Sequence, residues 1–338
     1  MTQPHPGLDL DVLGRWLPEH VDGAGSQLSA TLIAGGKSNL TYRITDGTAV
    51  WILRRPPVGH LLATAHDMVR EHRMMSALAP TPVPVPAMYA LCDDPDVLGA
   101  PFYVMECVDG ATYRSKADLA AVGAERTRAM SENFVDVLAE LHRVNPAEVG
   151  LADFGRPEGF LGRQVERWHK QFEAAHTREL PTMEALYAEL SQRVLADTAP
   201  GIVHGDYRLD NVLVDGDDRV VGVVDWELST IGDPLTDLAL MLVYGRMAKF
   251  SPDTVADATE APGYLSEDEV IARYAAGSDR DLSDLGFYIA LSCFKLAGIV
   301  EGIHYRFVNG QTVGDGFSQI GEGVYGLLDA GLAALKEN

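Results

Sequence analysis

The sequence predicts an α+β chain in two lobes: a small N-terminal lobe built on an antiparallel sheet with one helix, and a larger, mostly helical C-terminal lobe. Three observations carry this. The chain has 338 residues, room for two domains at about 150 residues each. As far as residue 108 the apolar stretches are short and bounded by Gly, Asp and Pro, as strands are. Beyond about Gly110 the apolar spacing turns helical, as in Phe134, Leu138 and Leu141 or Val165, Trp168 and Phe172. The expected boundaries are 1–108 and 109–338, with a hinge about 105–110.

Leu28 to Ala34 opens the sheet, a glycine turn follows, and Leu40 to Ile44 is the next strand. Asp46-Gly47 makes a hairpin turn, since both residues tolerate positive φ. Ala49 to Arg55 is the third strand, closed by Pro56-Pro57. Thr64 with Asp67 reads as a capping box for a helix through about Leu78, with Met68, His72 and Met75 along one stripe. Pro80, Pro82, Pro84 and Pro86 forbid further helix. Met88 to Cys92 and Pro101 to Val108 are two more strands, separated by the turn-rich Asp93-Asp94-Pro95-Asp96. In the second lobe a β-like insertion lies between helical regions: Ile202 to His204, Val212 to Val214 and Val220 to Val224, with Asp215-Gly216 as its turn. Asp233-Pro234 supplies an N-cap and a first-turn proline for a helix to about Tyr244. Leu285 to Phe307 is apolar on nearly every face, as a buried core helix is.

Hydrophobic residues at 46% and charged residues at 22% exclude a disordered, collagenous or coiled-coil chain. Acidic residues outnumber basic ones 49 to 27, a net charge of −22 that repels nucleic acid and anionic membrane surfaces as partners. Cys92, Cys107 and Cys293 are too few and too scattered for a disulfide framework or zinc knuckle. The start has no basic region followed by an apolar stretch. The most apolar span, Leu285 to Phe294, falls short of the roughly 20 residues a membrane helix needs. The expected location is cytoplasmic.

The chemistry concentrates in His204-Gly205-Asp206-Tyr207-Arg208-Leu209-Asp210-Asn211, followed by Val223-Val224-Asp225-Trp226-Glu227. An aspartate in a tight turn, an amide five residues later and a second aspartate after the next hairpin suit phosphoryl transfer. That reaction needs a carboxylate to orient the attacking hydroxyl and hard oxygens to hold Mg²⁺ against the phosphates.

With this loop the sequence resembles the aminoglycoside phosphotransferase family, the bacterial branch of the protein-kinase-like fold, whose catalytic loop reads H-G-D-x-x-x-x-N. The resemblance runs from about residue 28 to 308. It extends in particular to the kinase-like domain fused to some acyl-CoA dehydrogenases, through Leu53-Arg54-Arg55-Pro56-Pro57, Arg70-Glu71, Arg208-Leu209-Asp210-Asn211 and Gly232-Asp233-Pro234. It implies a bilobal protein-kinase-like fold, ATP and Mg²⁺ as cofactors, Asp206 as catalytic base, and Asn211 and Asp225 on the metal with Glu227 as a further candidate ligand. Asp237 is implied as structural support for the catalytic loop. Arg208 either touches the transferred phosphate or makes a salt bridge.

The N-terminal lobe carries the expected nucleotide elements, one of them altered. Gly35-Gly36-Lys37-Ser38-Asn39 joins two strands, so its backbone can cover phosphates. It is no P-loop, because Thr31 stands where the first glycine would fall and a strand follows. The family's strand lysine is replaced by Arg54, with Glu71 of the next helix as its partner, and arginine presents a planar fork where lysine presents a point charge. Arg55 is read as solvated. Glu106 and Val108 match the hinge positions whose backbone holds adenine.

The expected reaction is transfer of the γ-phosphate of ATP to a hydroxyl of a small molecule: a hydroxyacyl-CoA, hydroxy acid, amino-alcohol, sugar or aminoglycoside. Trp168, Tyr288, Lys295, Glu301, His304, Tyr305 and Arg306 are candidates for contacting it. Lys295 either meets an anionic substrate or pairs with an acid such as Glu301. Two alternatives stand beside this reading. One is a nucleotide-binding pseudokinase module, suggested by the missing strand lysine. The other is a non-haem iron oxygenase, whose H-x-D…H triad His204, Asp206 and His304 would imitate.

Overall fold

Short apolar runs bounded by Gly, Asp and Pro form the N-terminal sheet as expected, and an antiparallel register locks it. The computed structural model describes residues 5–33, 39–58, 66–250, 257–311 and 320–336. The chain divides into two compact units, one of residues 1–110 with 221–229, the other of residues 111–220 with 230–338.

The first unit contains β1 (Ser29–Leu32), β2 (Leu40–Thr45), β3 (Val50–Arg55), β4 (Met88–Cys92) and β5 (Phe102–Glu106), arranged β1-β2-β3-β5-β4. Every neighbouring pair is antiparallel. At the β2–β3 hairpin Asp46 Oδ1 accepts the N–H groups of Thr48 and Ala49, both at 2.8 Å, and Gly47 has φ 92°. Tyr42, Ile44, Leu53, Phe102 and Val104 are fully buried in the core beneath the sheet.

Two helices there add to the single one expected. α1 (Leu10–His20) precedes the sheet, capped by Asp9, whose carboxylate accepts from Asp11 and Val12 N–H at 3.0 Å. Its Leu13 and Leu17 complete the sheet's core. The turn-rich Asp94 segment holds a one-turn helix, α3 (Pro95–Leu98), closed by Gly99 in the left-handed region at φ 80°. Between them in sequence, α2 (Met68–Leu78) starts later than expected, with Asp67 itself as N-cap, its carboxylate accepting the Arg70 N–H. Thr64 lies outside the described residues. The buried stripe is Met68, Glu71, Met74, Met75 and Leu78, leaving His72 at its margin. Arg55 also departs from expectation: it is 4% exposed and donates to the carbonyls of Pro56 and Leu98.

The second unit is helical apart from short strands. It comprises α4 (Lys116–Val122), α5 (Ala124–Arg143), α6 (Phe160–Ala174) and α7 (Pro181–Gln192), then β6 (Gly201–Val203) and β7 (Val212–Val214). The chain passes into the first unit within β8 (Val220–Val223) and returns at β9 (Thr230–Gly232), which pairs antiparallel with β6. α8 (Leu235–Phe250), α9 (Glu267–Gly277), α10 (Leu285–Val308) and α11 (Gly323–Ala334) complete it.

Asp233 begins α8 as expected, accepting the Leu235 N–H at 3.1 Å while its other oxygen takes the hydroxyls of Thr198 and Tyr288. α10 is the central helix of this unit. By length and composition it could cross a membrane, yet 83% of its most apolar stretch is buried within the protein.

Candidate active site

The catalytic-loop residues lie in the second unit, between β6 and a 3₁₀ turn at Leu209–Asn211. Gly205 has φ 86°, a conformation a side chain disfavours, and so permits the reversal that presents Asp206. Its peptide is held from both sides. The N–H groups of His204 and Gly205 donate to Asp237 of α8 at 2.6 and 2.8 Å. The Gly205 carbonyl accepts Lys295 Nζ of α10 at 2.9 Å.

Asp237 is 1% exposed, and although burial opposes its charge, His142 and the loop N–H groups hold its carboxyl below the usual range. Burial pushes the Lys295 ammonium down, against the pull of Asp206 and Asp237. Lys295 also sits over the Trp168 ring at 5.6 Å, and Arg167 stands 5.2 Å from the same ring. Glu301 is not its partner: that buried carboxylate takes the Thr177 N–H and hydroxyl together with Arg178.

Asp206 meets Asn211, whose Nδ2 donates to the Asp206 carbonyl at 2.9 Å and to Oδ2 at 3.1 Å. Orienting the amide this way leaves Asn211 Oδ1 as a hard acceptor suited to Mg²⁺. Tyr244 of α8 donates its hydroxyl to Asp206 Oδ1 at 2.8 Å. Arg208 forks onto Asp210 through Nε, at 2.7 Å, and an Nη atom, with its guanidinium 5.1 Å from the Tyr244 ring. Of the two roles considered for Arg208, the structure contains the salt bridge.

The first unit gathers Arg54, Tyr103 and Asn39 around Glu71. Arg54 and Tyr103 are cross-strand partners on β3 and β5, and both reach it. Arg54 Nε lies 3.2 Å from Glu71 Oε2, and the Tyr103 hydroxyl donates to the same oxygen at 2.8 Å. The Arg54 fork also grips Asp225. Burial lifts the Glu71 carboxyl to about 7, with Arg54 pulling the other way.

Asn39 Nδ2 bridges Glu71 at 3.2 Å and Glu227 at 3.0 Å. Gly35, Gly36, Lys37 and Ser38 lie outside the described residues. Asp225 has φ 66°, a left-handed backbone tolerated by Asp and found at functional turns. Glu106 ends β5 with its N–H on the Ala87 carbonyl, and Val108 follows it.

Asp206 with Asn211 is thus one constellation, and Arg54, Glu71, Asp225, Asn39 and Glu227 are another. Asp225 and Glu227 in the first unit carry carboxylate oxygens, and Asn211 in the second carries an amide oxygen, each a donor of the hard kind that Mg²⁺ takes. The iron-oxygenase reading fails on fold and chemistry. His204 Nδ1 is occupied by the Asp206 N–H at 3.2 Å. Among the described residues, no group of three or more His, Cys, Asp or Glu could hold a metal. Sequence reasoning missed Tyr103, Tyr244 and the Lys295–Gly205 contact. Only for Tyr244 was a signal present, since it lies seven residues, or two helical turns, after Asp237.

A five-stranded antiparallel sheet unit, a helical unit and an H-G-D-x-x-x-x-N loop define a kinase-like phosphotransferase. The chain belongs to the APH phosphotransferase enzyme family, whose model matches residues 29–276. It is an enzyme of the class that transfers phosphoryl groups to alcohols.

Human acyl-CoA dehydrogenase family member 11 is 35% identical over 346 residues, covering 98% of this chain and 44% of that protein. The chain thus spans less than half the length of such curated relatives. A Ralstonia eutropha protein assigned as an aminoglycoside phosphotransferase is 33% identical, with TM-score 0.84 over 97% of this chain and 98% of that one. The aminoglycoside phosphotransferase APH(4)-Ia, solved with AMP-PNP and hygromycin B, shares the fold at 15% identity, with TM-score 0.61 over 94% and 98% of the two chains.

Proposed function

We propose that this phosphotransferase uses Mg²⁺-ATP to phosphorylate a hydroxyl of an anionic metabolite, a hydroxy acid or hydroxyacyl thioester. The fixing of Asp206 carries the reading: its peptide neighbour is held by Asp237 and Lys295, and its carboxylate by Asn211 and Tyr244. Such a carboxylate can accept the acceptor hydroxyl's proton and aim its oxygen in line with the γ-phosphate.

Asn211, Asp225 and Glu227 would hold Mg²⁺, which supplies neutralisation of the phosphate charge. Arg54, aligned by Glu71, takes the role of the strand lysine on the phosphates, and the backbone of Glu106 and Val108 holds adenine. The neighbour solved with AMP-PNP supports the nucleotide. Two observations support an anionic acceptor over an aminoglycoside: Lys295 and Arg167 share the Trp168 ring, with Lys295 on the loop of Asp206, and relatives over nearly the whole chain bear an acyl-CoA dehydrogenase name.

The test is thermal stabilisation by Mg²⁺-ATP, repeated with hydroxyacyl-CoAs, hydroxy acids, sugars, choline and aminoglycosides. Nucleotide at a hundred times its Kd adds about 2.7 kcal/mol, and one acceptor class adds to it. No response to nucleotide overturns the proposal. Asp206→Ala abolishes transfer while nucleotide still stabilises the protein, whereas Asp225→Ala loses that stabilisation.

A further inference from the structure

We infer that Tyr244 is a positioning residue for phosphoryl transfer, the neutral donor that fixes the Asp206 carboxylate toward the acceptor oxygen; this rests on the phosphotransferase reading of Asp206 above. A carboxylate turns readily about its Cβ–Cγ bond, and an acceptor hydroxyl must meet it in one orientation to attack in line. Asn211 holds Oδ2 at 3.1 Å, and Tyr244 holds Oδ1 at 2.8 Å. With both oxygens engaged, the carboxylate plane is set before any acceptor arrives, and each oxygen keeps a further lone pair for the hydroxyl.

The chemistry of the donor matters. A lysine or arginine at this place would neutralise the carboxylate that must attract the hydroxyl proton, while a phenol donates without adding charge. Burial and the adjacent Asp206 push the Tyr244 phenol well above its ordinary value, so it keeps its proton at working pH.

Tyr244 is itself held rigid. Its ring lies against the Arg208 guanidinium, 5.1 Å away, and that guanidinium is locked onto Asp210. One face of α8 thereby controls the loop twice: Asp237 takes the N–H groups of His204 and Gly205, and two turns later Tyr244 takes the side chain of Asp206.

The experiment measures Mg²⁺-ATP hydrolysis, with water as the acceptor, by the intact chain and by Tyr244→Phe. The variant keeps the ring against Arg208 and removes the hydroxyl, with its donation to Asp206 and its polar interaction with the Arg208 guanidinium. Its kcat falls about tenfold, the scale of one hydrogen bond to a charged group, while KM for ATP stays within about twofold and Tm changes little, because the nucleotide is bound elsewhere. In an Asp206→Asn background the residual rate does not fall further, since the hydroxyl acts through that carboxylate. An unchanged kcat in Tyr244→Phe overturns the inference. So do parallel losses in kcat, KM and Tm, the mark of a merely structural tyrosine, or an undiminished effect in the Asp206→Asn background. A parent protein that turns over no Mg²⁺-ATP, with water or with any added alcohol as acceptor, overturns instead the phosphotransferase reading on which the inference stands.

Discussion

Arg54 does work that a lysine at the same place could not. Its Nε faces Glu71 while a terminal nitrogen grips Asp225, so one planar group serves two carboxylates. A lysine ammonium on a flexible stem reaches one at a time. Arg54→Lys accordingly lowers kcat/KM for Mg²⁺-ATP by about tenfold or more, the worth of one charge-assisted contact; equal or higher activity would mean that the fork is dispensable. Glu71 adds a dependence on pH. Its folded carboxyl titrates at about 7, against 4.5 ordinarily. The folded state therefore holds that proton more tightly than the unfolded chain, a contribution complete below the unfolded value and lost as pH rises through the folded one. Glu71→Gln, which cannot ionise, loses less Tm than the parent between about pH 5 and pH 8, measured by calorimetry. Arg54, Glu71, Asp206 and Asn211 could be found in the sequence because motif and spacing mark them. Tyr103 could not, since nothing near it in sequence distinguishes it from a core residue, and Lys295 stood out as a cation on an apolar helix without any sign that the Gly205 carbonyl was its partner.

At the scale of elements, α8 is the most consequential helix. Its first turn is fixed by Asp233 and Pro234, and its polar positions, Asp237 and Tyr244, reach the catalytic loop. Asp237→Ala strips the buried His204 N–H and the partly buried Gly205 N–H of their acceptor and leaves His142 without its carboxylate, costing about 3 kcal/mol of stability. Urea unfolding measures it, and a loss under about 1 kcal/mol would mean that the loop finds other partners. The strands of the N-terminal sheet and the helices α5 and α6 were legible because bounded apolar runs and a 3.6-residue period mark them, whereas α7, α9, α11 and β9 carry no such plain signal. α1 was not: it follows a Pro-rich start, carries Pro18 in its last turn, and has its start fixed by the single Asp9 cap. α2 was placed a few residues early because Thr64 and Asp67 satisfy a capping pattern, whereas Asp67 alone makes the cap.

The whole molecule carries a net charge of −22, which acts on any charged acceptor before it binds. For an anionic hydroxy acid, added salt screens the repulsion and lowers KM; for a cationic aminoglycoside, salt raises it. KM at low and at about 0.3 M salt, where the Debye length is well under 10 Å, separates the two classes by sign, and a KM that rises for the preferred acceptor would contradict the anionic assignment. The sequence by itself determined the fold class, the catalytic loop and the Arg54–Glu71 partnership, because short-range periodicity and motif spacing encode them. Tertiary structure alone decided what surrounds the chemistry: Lys295 on the Gly205 carbonyl, Tyr103 on Glu71, Tyr244 on Asp206 and Arg208 on Asp210. Three of these four contacts join residues more than thirty positions apart. Their partners are chosen by the packing of helices and strands, which no local pattern records. In the fourth, between near neighbours, the planar fork of Arg208 meets a carboxylate two residues along the chain.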